Sequence, residues 1–104
     1  MTKLIGLDVG TSSLKGLVIN ERGDVVGEAE RSYPFDTPQP GWAEQDPELW
    51  WQAAEAVLDE LGAGDADGIG LSGQMHGLVA LGADDRPLRP AILWNDGRSD
   101  IECR

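Results

Sequence analysis

Residues 4–13, Leu-Ile-Gly-Leu-Asp-Val-Gly-Thr-Ser-Ser, determine the start of the fold. The apolar run Leu4–Val9 carries one charge, at Asp8, which is typical of a short buried β-strand. The glycine and hydroxyl residues that follow it favour a tight turn. The stretch therefore predicts a strand that leads into a polar turn at its carboxyl end.

Two further strands are predicted directly after this turn. Leu14–Asn20 is rich in apolar and β-branched residues, and Glu-Arg-Gly-Asp at 21–24 has the composition of a hairpin turn. Val25–Tyr33 then alternates loosely between apolar and polar residues. Three strands joined by short turns predict an antiparallel meander. The three prolines within residues 34–41 predict an extended connection without regular structure.

The clearest helix signal begins at Asp46. Asp46 can cap the helix, Pro47 suits its first turn, and Glu48 favours the positive end of the helix dipole. Apolar residues then recur at helical spacing on one face: Leu49, Trp50, Ala53, Ala54, Val57, Leu58 and Leu61. Glycines at 62 and 64 predict the end of this helix.

The second half of the chain contains weaker signals. They predict a strand at Ala66–Ser72, with Ile69 and Leu71 on one side, followed by a loop at 73–77. A second strand is predicted at Leu78–Leu81, followed by a turn at Ala83–Pro87. A short strand at Ala91–Trp94 and the opening of a helix at Asn95–Arg104 are predicted last. A meander followed by a helix and more strands predicts an α/β or α+β arrangement around one mixed sheet. Without an obvious linker, residues 1–104 are interpreted as one incomplete domain.

Composition and charge narrow the classes of partner. The formal net charge is −11, from 19 acidic and 8 basic side chains. Such a surface repels nucleic acids and anionic membranes, so we expect neither as a partner. The one cysteine fits a reducing compartment, and no apolar run approaches the ~20 residues of a membrane span. With no signal-peptide pattern at its start, we expect a cytoplasmic protein.

The turn after the first strand is the first candidate site. Glycine at position 10 lets the backbone approach a ligand closely, and successive N–H groups with the hydroxyls of Thr11 and Ser12 can cradle phosphate oxygens. Asp8 can hold Mg²⁺ directly or through water. The same residue types also make a plain hairpin turn, so this stretch alone leaves both interpretations open.

Two later loops have the composition of ligand contacts. In Gly-Gln-Met-His-Gly at 73–77, Gln74 and His76 stand between two glycines where a strand is predicted to end. His76 can exchange a hydrogen bond with a sugar hydroxyl, although a lone loop histidine is commonly just solvent-exposed. In Trp-Asn-Asp-Gly-Arg at 94–98, an aromatic ring beside polar groups suits a sugar, although tryptophan in a strand is commonly core. Residues 41–47 are interpreted as packing and a helix start.

Taken together, four motifs resemble the FGGY carbohydrate kinases in order and spacing. They are residues 7–15, 41–47, 73–77 and 93–98, and the resemblance spans essentially the whole chain. It implies the ribonuclease-H-like fold of the actin-like ATPases, in which two such domains close over a cleft. It also implies ATP and Mg²⁺ as cofactors and a sugar as substrate. The most similar members phosphorylate D-xylulose to D-xylulose 5-phosphate.

The resemblance implies roles for residues on the phosphate side. Asp8 resembles the carboxylate near the metal and the γ-phosphate, and it is the one metal-binding candidate. Gly10, Thr11 and Ser12 resemble the phosphate-facing turn.

The resemblance also implies a sugar side. Met75 and His76 resemble the pair that contacts the pentulose, with Gln74 beside them. Trp94 and Asn95 resemble residues that flank the polyol pocket. Glycerol kinases carry an Arg-Glu pair where this chain has Met-His, so glycerol is disfavoured.

The resemblance places the catalytic base, an aspartate, beyond Arg104. No residue of this stretch is therefore assigned as catalytic, and the C-terminal nucleotide-binding domain is not among residues 1–104. We expect this fragment alone to be inactive and to need that C-terminal kinase domain as its partner. A full-length form could also be a homodimer. Two alternatives stay open: a kinase of the same family acting on gluconate or another sugar or polyol, and a non-catalytic sugar-binding module.

Overall fold

The computed structural model describes residues 2–104. Its helices and strands, in chain order, are β1 (Leu4–Val9), β2 (Ser13–Ile19), β3 (Val25–Ser32), β4 (Glu44–Gln45), α1 (Pro47–Glu60), one 3₁₀ turn (Ala63–Asp65), β5 (Gly68–Gly73) and β6 (Ala91–Ile92). No helix among these described residues is long and apolar enough to cross a membrane.

Four strands form a mixed sheet in the order β3-β2-β1-β5. β1 and β2 pair antiparallel from Leu4↔Ile19 to Val9↔Leu14, and β3 continues the meander against β2. β5 lies parallel to β1 on its other side, with Ser72 opposite Asp8. The predicted meander and mixed sheet are confirmed. The carboxyl ends of β1 and β5 meet at one edge, where the two candidate loops begin.

Helix α1 forms where its capping signals are. The Asp46 side chain accepts a hydrogen bond from the backbone N–H of Glu48 at 3.0 Å, which satisfies one of the free donors of the first turn. The helix ends at Glu60, and the chain turns away at Gly62, whose φ of 65° is readily available to glycine. Its apolar face packs on β2 and β3 with Ala53 and Val57 buried, as the helical spacing predicts.

Two apolar clusters hold the chain together. The larger lies between the sheet and α1 and contains Ile5, Leu7, Leu14, Val18, Ala29, Tyr33, Ala53 and Val57. The smaller surrounds β4 and β6 and contains Ala43, Ala91 and Leu93. Trp50 on α1 packs against both clusters, so the helix ties the second cluster to the main sheet.

Close packing of α1 on β2 depends on Gly16. A Cβ atom there would lie 2.5 Å from Val57 Cγ1 and 2.9 Å from Leu61 Cδ1. Because overpacking a close-packed contact is destabilising, we expect Gly16→Ala to lower the free energy of unfolding by about 1–3 kcal/mol, measured from urea unfolding. Gly70→Ala on β5 is the matched control, since no atom lies within 4 Å of its added Cβ. Equal losses in the two variants would contradict this account of the contact.

The structure departs from four predictions for the later part of the chain, and three of them concern strands. The sheet is not single, because β4 and β6 form a separate two-stranded antiparallel pair, and β4 was not predicted. Leu78–Leu81 is not a strand but makes two isolated bridges, Leu78↔Ile92 and Leu81↔Pro87, because these residues pair with two different segments and cannot form a continuous ladder. The last predicted strand shortens to Ala91–Ile92.

Asn95–Arg104 forms turns rather than the predicted helix. The Asp96 carboxylate accepts hydrogen bonds from the backbone N–H and the Nε of Arg98, at 2.9 and 2.8 Å. Such local side-chain bonds offer the backbone an alternative to helical hydrogen bonding. Gly97 between them further disfavours a helix.

Candidate functional site

The turn between β1 and β2 is held from inside the fold. Gly10 N–H donates to Ser13 O at 2.9 Å, Tyr33 N–H donates to Ser12 O at 3.0 Å, and the Tyr33 hydroxyl donates to Gly10 O. Within residues 2–104, the backbone N–H groups of Thr11 and Ser12 donate to no acceptor. The turn therefore presents two N–H groups that can receive an anion.

Tyr33 supports this turn in its protonated form. Its side chain is buried in the main core, and burial, with the negative charge of Asp8 as the second cause, raises the pKa of Tyr33 to about 12. The phenol therefore stays neutral at physiological pH and remains a donor to the Gly10 carbonyl.

Asp8 stands at the carboxyl end of β1, on the sheet face opposite α1. Its side chain is exposed and accepts a hydrogen bond from Ser72 Oγ at 2.9 Å. An open groove of about 500 Å³ is lined by Asp8, Ser72 and Lys15, whose ammonium lies 3.7 Å from Glu30. The residues that the structure describes contain no group of three or more metal-ligating side chains. Mg²⁺ commonly uses one or two carboxylates with waters and phosphate oxygens, so a lone exposed carboxylate fits that role.

Two of the sugar-side candidates, Gln74 and Trp94, form hydrogen bonds with the turn after β1. Gln74 turns inward: its backbone N–H donates to Val9 O at 2.8 Å, and its Oε1 accepts the Thr11 hydroxyl at 3.1 Å. The indole N–H of Trp94 reaches the same hydroxyl at 3.0 Å. The structure thus brings together Thr11, Gln74 and Trp94, which lie in three separate motifs.

A groove of about 400 Å³ lies next to this contact and is lined in part by His76, Trp94, Asp96 and Ser99. His76 has a φ of 63°, so its loop holds a histidine in a conformation that most side chains avoid. Met75 and Asn95 are both exposed and are not among the lining residues. Two of the sugar-side candidates, His76 and Trp94, therefore line the groove, whereas Met75 and Asn95 do not.

Gln45 is a component of the site that the sequence did not indicate. It is 1% exposed, and its Nε2 donates to Thr11 O at 2.9 Å and to Pro34 O at 3.0 Å. Its Oε1 accepts the indole N–H of Trp50 at 2.7 Å. A buried amide with its bonds satisfied in this way fixes the segments that it joins. The only local signal was a polar residue directly before a helix cap.

Arg98 anchors the loop that carries Trp94. Its guanidinium lies 3.8 Å from the centre of the Trp42 ring and pairs with Asp96 at 2.7 Å and with Glu44 at 2.8 Å. Asp96 also accepts the backbone N–H of Ala43 at 2.6 Å. The hydrogen bonds from Arg98, opposed by burial, hold the pKa of Asp96 well below its usual range. This ion-pair cluster ties the 94–98 loop to residues 42–44.

Comparison with known proteins identifies the family. Residues 3–104 match the sequence model for the N-terminal domain of the FGGY family of carbohydrate kinases. The chain belongs to this family. The resemblance inferred from the four motifs is therefore confirmed.

Individual members of the FGGY family are similar over the same region. The xylulose kinase of Escherichia coli is 48% identical over 103 residues, which are 95% of this chain and 21% of that protein. The crystal structure of a xylulose kinase from Brucella ovis superposes with a TM-score of 0.91 at 47% identity, over 96% of this chain and 22% of that one. A gluconate kinase from Lactobacillus acidophilus gives 0.92 at 34%, over 97% and 21%. This FGGY chain spans about a fifth of the length of these relatives.

The structural neighbours also confirm the fold class. They are sugar kinases of the actin-like ATPase fold, and the mixed sheet with its meander and helix corresponds to part of one of their domains.

Proposed function

We propose that this chain is the amino-terminal part of an ATP-dependent kinase that phosphorylates D-xylulose to D-xylulose 5-phosphate. The observation that carries the proposal is the convergence at Thr11, whose backbone lies in the turn after β1 and whose hydroxyl contacts both Gln74 and Trp94. The turn suited to phosphate and the loops suited to a sugar are therefore adjacent. A kinase needs both sites within reach of one another, since phosphoryl transfer depends mainly on positioning and electrostatic stabilisation. Xylulose kinases among the relatives support the choice of sugar.

On the phosphate side, the turn supplies donors and Asp8 supplies charge. The N–H groups of Thr11 and Ser12 are assigned to phosphate oxygens of ATP. Glycine at position 10 is favoured because a Cβ there would lie 3.0 Å from Ser13 O. Asp8 is assigned to Mg²⁺, directly or through water. Mg²⁺ bound there would neutralise negative charge on the transferring phosphoryl group.

On the sugar side, the groove beside Trp94 is assigned to the pentulose. The Trp94 ring offers an apolar face, which suits the C–H surface of a sugar, and His76 offers a hydrogen-bonding imidazole. Met75 and Asn95, each adjacent in sequence to a residue that lines the groove, complete the set of proposed contacts.

The proposal divides the reaction between this chain and a second part. The aspartate that takes the proton from the sugar hydroxyl and the site for adenine are assigned to a C-terminal kinase domain outside residues 1–104. We therefore propose that these residues alone do not turn over, and that the assembled kinase works in the cytoplasm.

A second candidate substrate is gluconate. The gluconate kinase with a TM-score of 0.92 supports it, since the local backbone of this chain fits that enzyme as well as it fits the xylulose kinases. Both candidates would use the same groove, so a direct comparison of the two sugars decides between them.

The experiment uses a chimera in which residues 3–104 of this chain replace the matching residues of the Escherichia coli xylulose kinase. We expect the chimera to release ADP in a D-xylulose-dependent manner and to prefer D-xylulose over D-gluconate. His76→Ala should raise KM for D-xylulose about ten- to a hundredfold, with a smaller change in kcat, because it removes a hydrogen bond made to the bound sugar.

Arg86→Ala is the control variant, because Arg86 is an exposed side chain in the turn at 83–87, away from the groove. Its KM and kcat should match those of the unmodified chimera. A folded chimera that ignores D-xylulose, or a His76→Ala variant with unchanged KM, would refute the assignment.

A further inference from the structure

The side chain of Thr11 makes two hydrogen bonds to residues far away in sequence. Its hydroxyl donates to Gln74 Oε1 at 3.1 Å and accepts from the indole N–H of Trp94 at 3.0 Å, across 63 and 83 positions respectively. A hydroxyl has one hydrogen to donate and lone pairs to accept with. The hydroxyl is used both as a donor and as an acceptor, so the Thr11 side chain bonds to the two sugar-side loops.

The backbone of Thr11 is fixed by a separate contact. Its carbonyl accepts a hydrogen bond at 2.9 Å from Gln45, which is buried and also holds Pro34 and Trp50. Moving the Thr11 backbone would leave a buried amide donor unpaired, which is costly. The Thr11 hydroxyl is therefore held in a fixed position relative to Gln74 and Trp94.

Trp94, in contrast, has little else to hold its ring. The residue is 57% exposed, and Thr11 is the one hydrogen-bond partner of its indole N–H among residues 2–104. Exposed side chains exchange rotamers on the picosecond-to-nanosecond timescale. The bond to Thr11 is thus the main restraint on which face of the indole borders the groove with His76.

We infer that Thr11 is a positioning residue for the sugar side of the site, acting through Trp94 and Gln74. Its backbone N–H keeps its place on the phosphate side, while its hydroxyl aligns the sugar-side loops on that turn. The assignment of the two sides rests on the function proposed above, whereas the contacts do not. The division predicts that removing the hydroxyl alters sugar recognition and leaves ATP recognition unaltered.

The contact itself is tested in the folded chimera by ¹⁵N NMR of its tryptophan indole N–H groups, with Trp94→Phe assigning the relevant signal. In Thr11→Val we expect the Trp94 indole signal to move upfield and its exchange with water to quicken about three- to tenfold, because the acceptor is lost. Thr11→Ser should preserve both values. Thr37→Val makes the same chemical change at an exposed threonine and should leave the signal in place.

The role is tested by kinetics in the chimera. Thr11→Val should raise KM for D-xylulose about three- to tenfold without changing KM for ATP, and Thr11→Ser should restore the unsubstituted value. A rise in KM for ATP alone would overturn the inference. So would a Trp94 indole signal that does not move in Thr11→Val, or one that already lies at the position of free indole in the unsubstituted protein. An inactive chimera would count against the proposed function, while the indole signal would still decide the contact.

Discussion

Asp8→Asn, introduced into the chimera, is expected to lower kcat by about 10²- to 10³-fold while leaving KM for D-xylulose nearly unchanged. The substitution keeps an oxygen that can accept the hydrogen bond from Ser72 Oγ, so local structure should persist. It removes a negative charge assigned to the metal and the transferring phosphoryl group, whose effect is greatest in the transition state. Steady-state ADP release at varied D-xylulose concentrations measures both parameters.

Asp24→Asn provides the matched control. Asp24 is an exposed aspartate in the turn between β2 and β3, so the same chemical change there should leave both parameters unaltered. If Asp8→Asn raised KM for D-xylulose and spared kcat, Asp8 would belong to the sugar side, and the two loops would have been assigned to the wrong ends of the reaction.

Asp96→Asn is expected to cost about 3 kcal/mol of stability at pH 7. The Asp96 side chain is 1% exposed and pairs with Arg98, so the substitution leaves a largely buried guanidinium with only Glu44 as its ionic partner. Removing one member of a buried ion pair typically costs 3–5 kcal/mol, and the remaining Glu44 places this site at the low end of that range. The shift of the urea unfolding midpoint at constant slope measures the loss.

The same residue gives this stability a defined pH dependence. Because the pKa of Asp96 is lowered in the folded state, its contribution is fully present above the unfolded pKa of about 4 and declines as the pH falls below it. The difference between wild type and Asp96→Asn should therefore shrink between pH 5 and pH 2. Asp100→Asn, which breaks an exposed pair with Arg104, should cost less than about 0.5 kcal/mol at either pH. Equal losses in the two variants would contradict the account of the buried cluster.

The fold was predictable where its signals are local. β1 matches its prediction at both ends, and β2, β3 and α1 match theirs closely, because apolar periodicity, the turn at 21–24 and the Asp46-Pro47 start each act within a few residues. The pairing of β4 with β6 was not predictable in this way. Two-residue strands show no periodicity, and their register depends on segments that meet only after folding.

The site follows the same division. The chemistry of Asp8, Thr11, Gln74 and Trp94 was visible in the residue types, but the contacts among them were not. Thr11 was assigned to phosphate because hydroxyls in turns suit phosphate, whereas its side chain contacts Gln74 and Trp94. The role of Gln45 could not be predicted, because the burial of its amide depends on β4, α1 and the first turn together.

The parallel pairing of β1 with β5 has a consequence for how the chain reaches its native state. Asp8 and Ser72 are 64 positions apart, and the whole meander and α1 lie between them. Closing so long a loop costs chain entropy before any contact repays it, whereas the β1–β2–β3 turns close locally. We therefore expect the turn at 10–13 to form early and the loop at 73–77 to join it only when β5 docks. On the same grounds, we expect the pairing of β5 with β1 to be the last part of the main sheet to assemble.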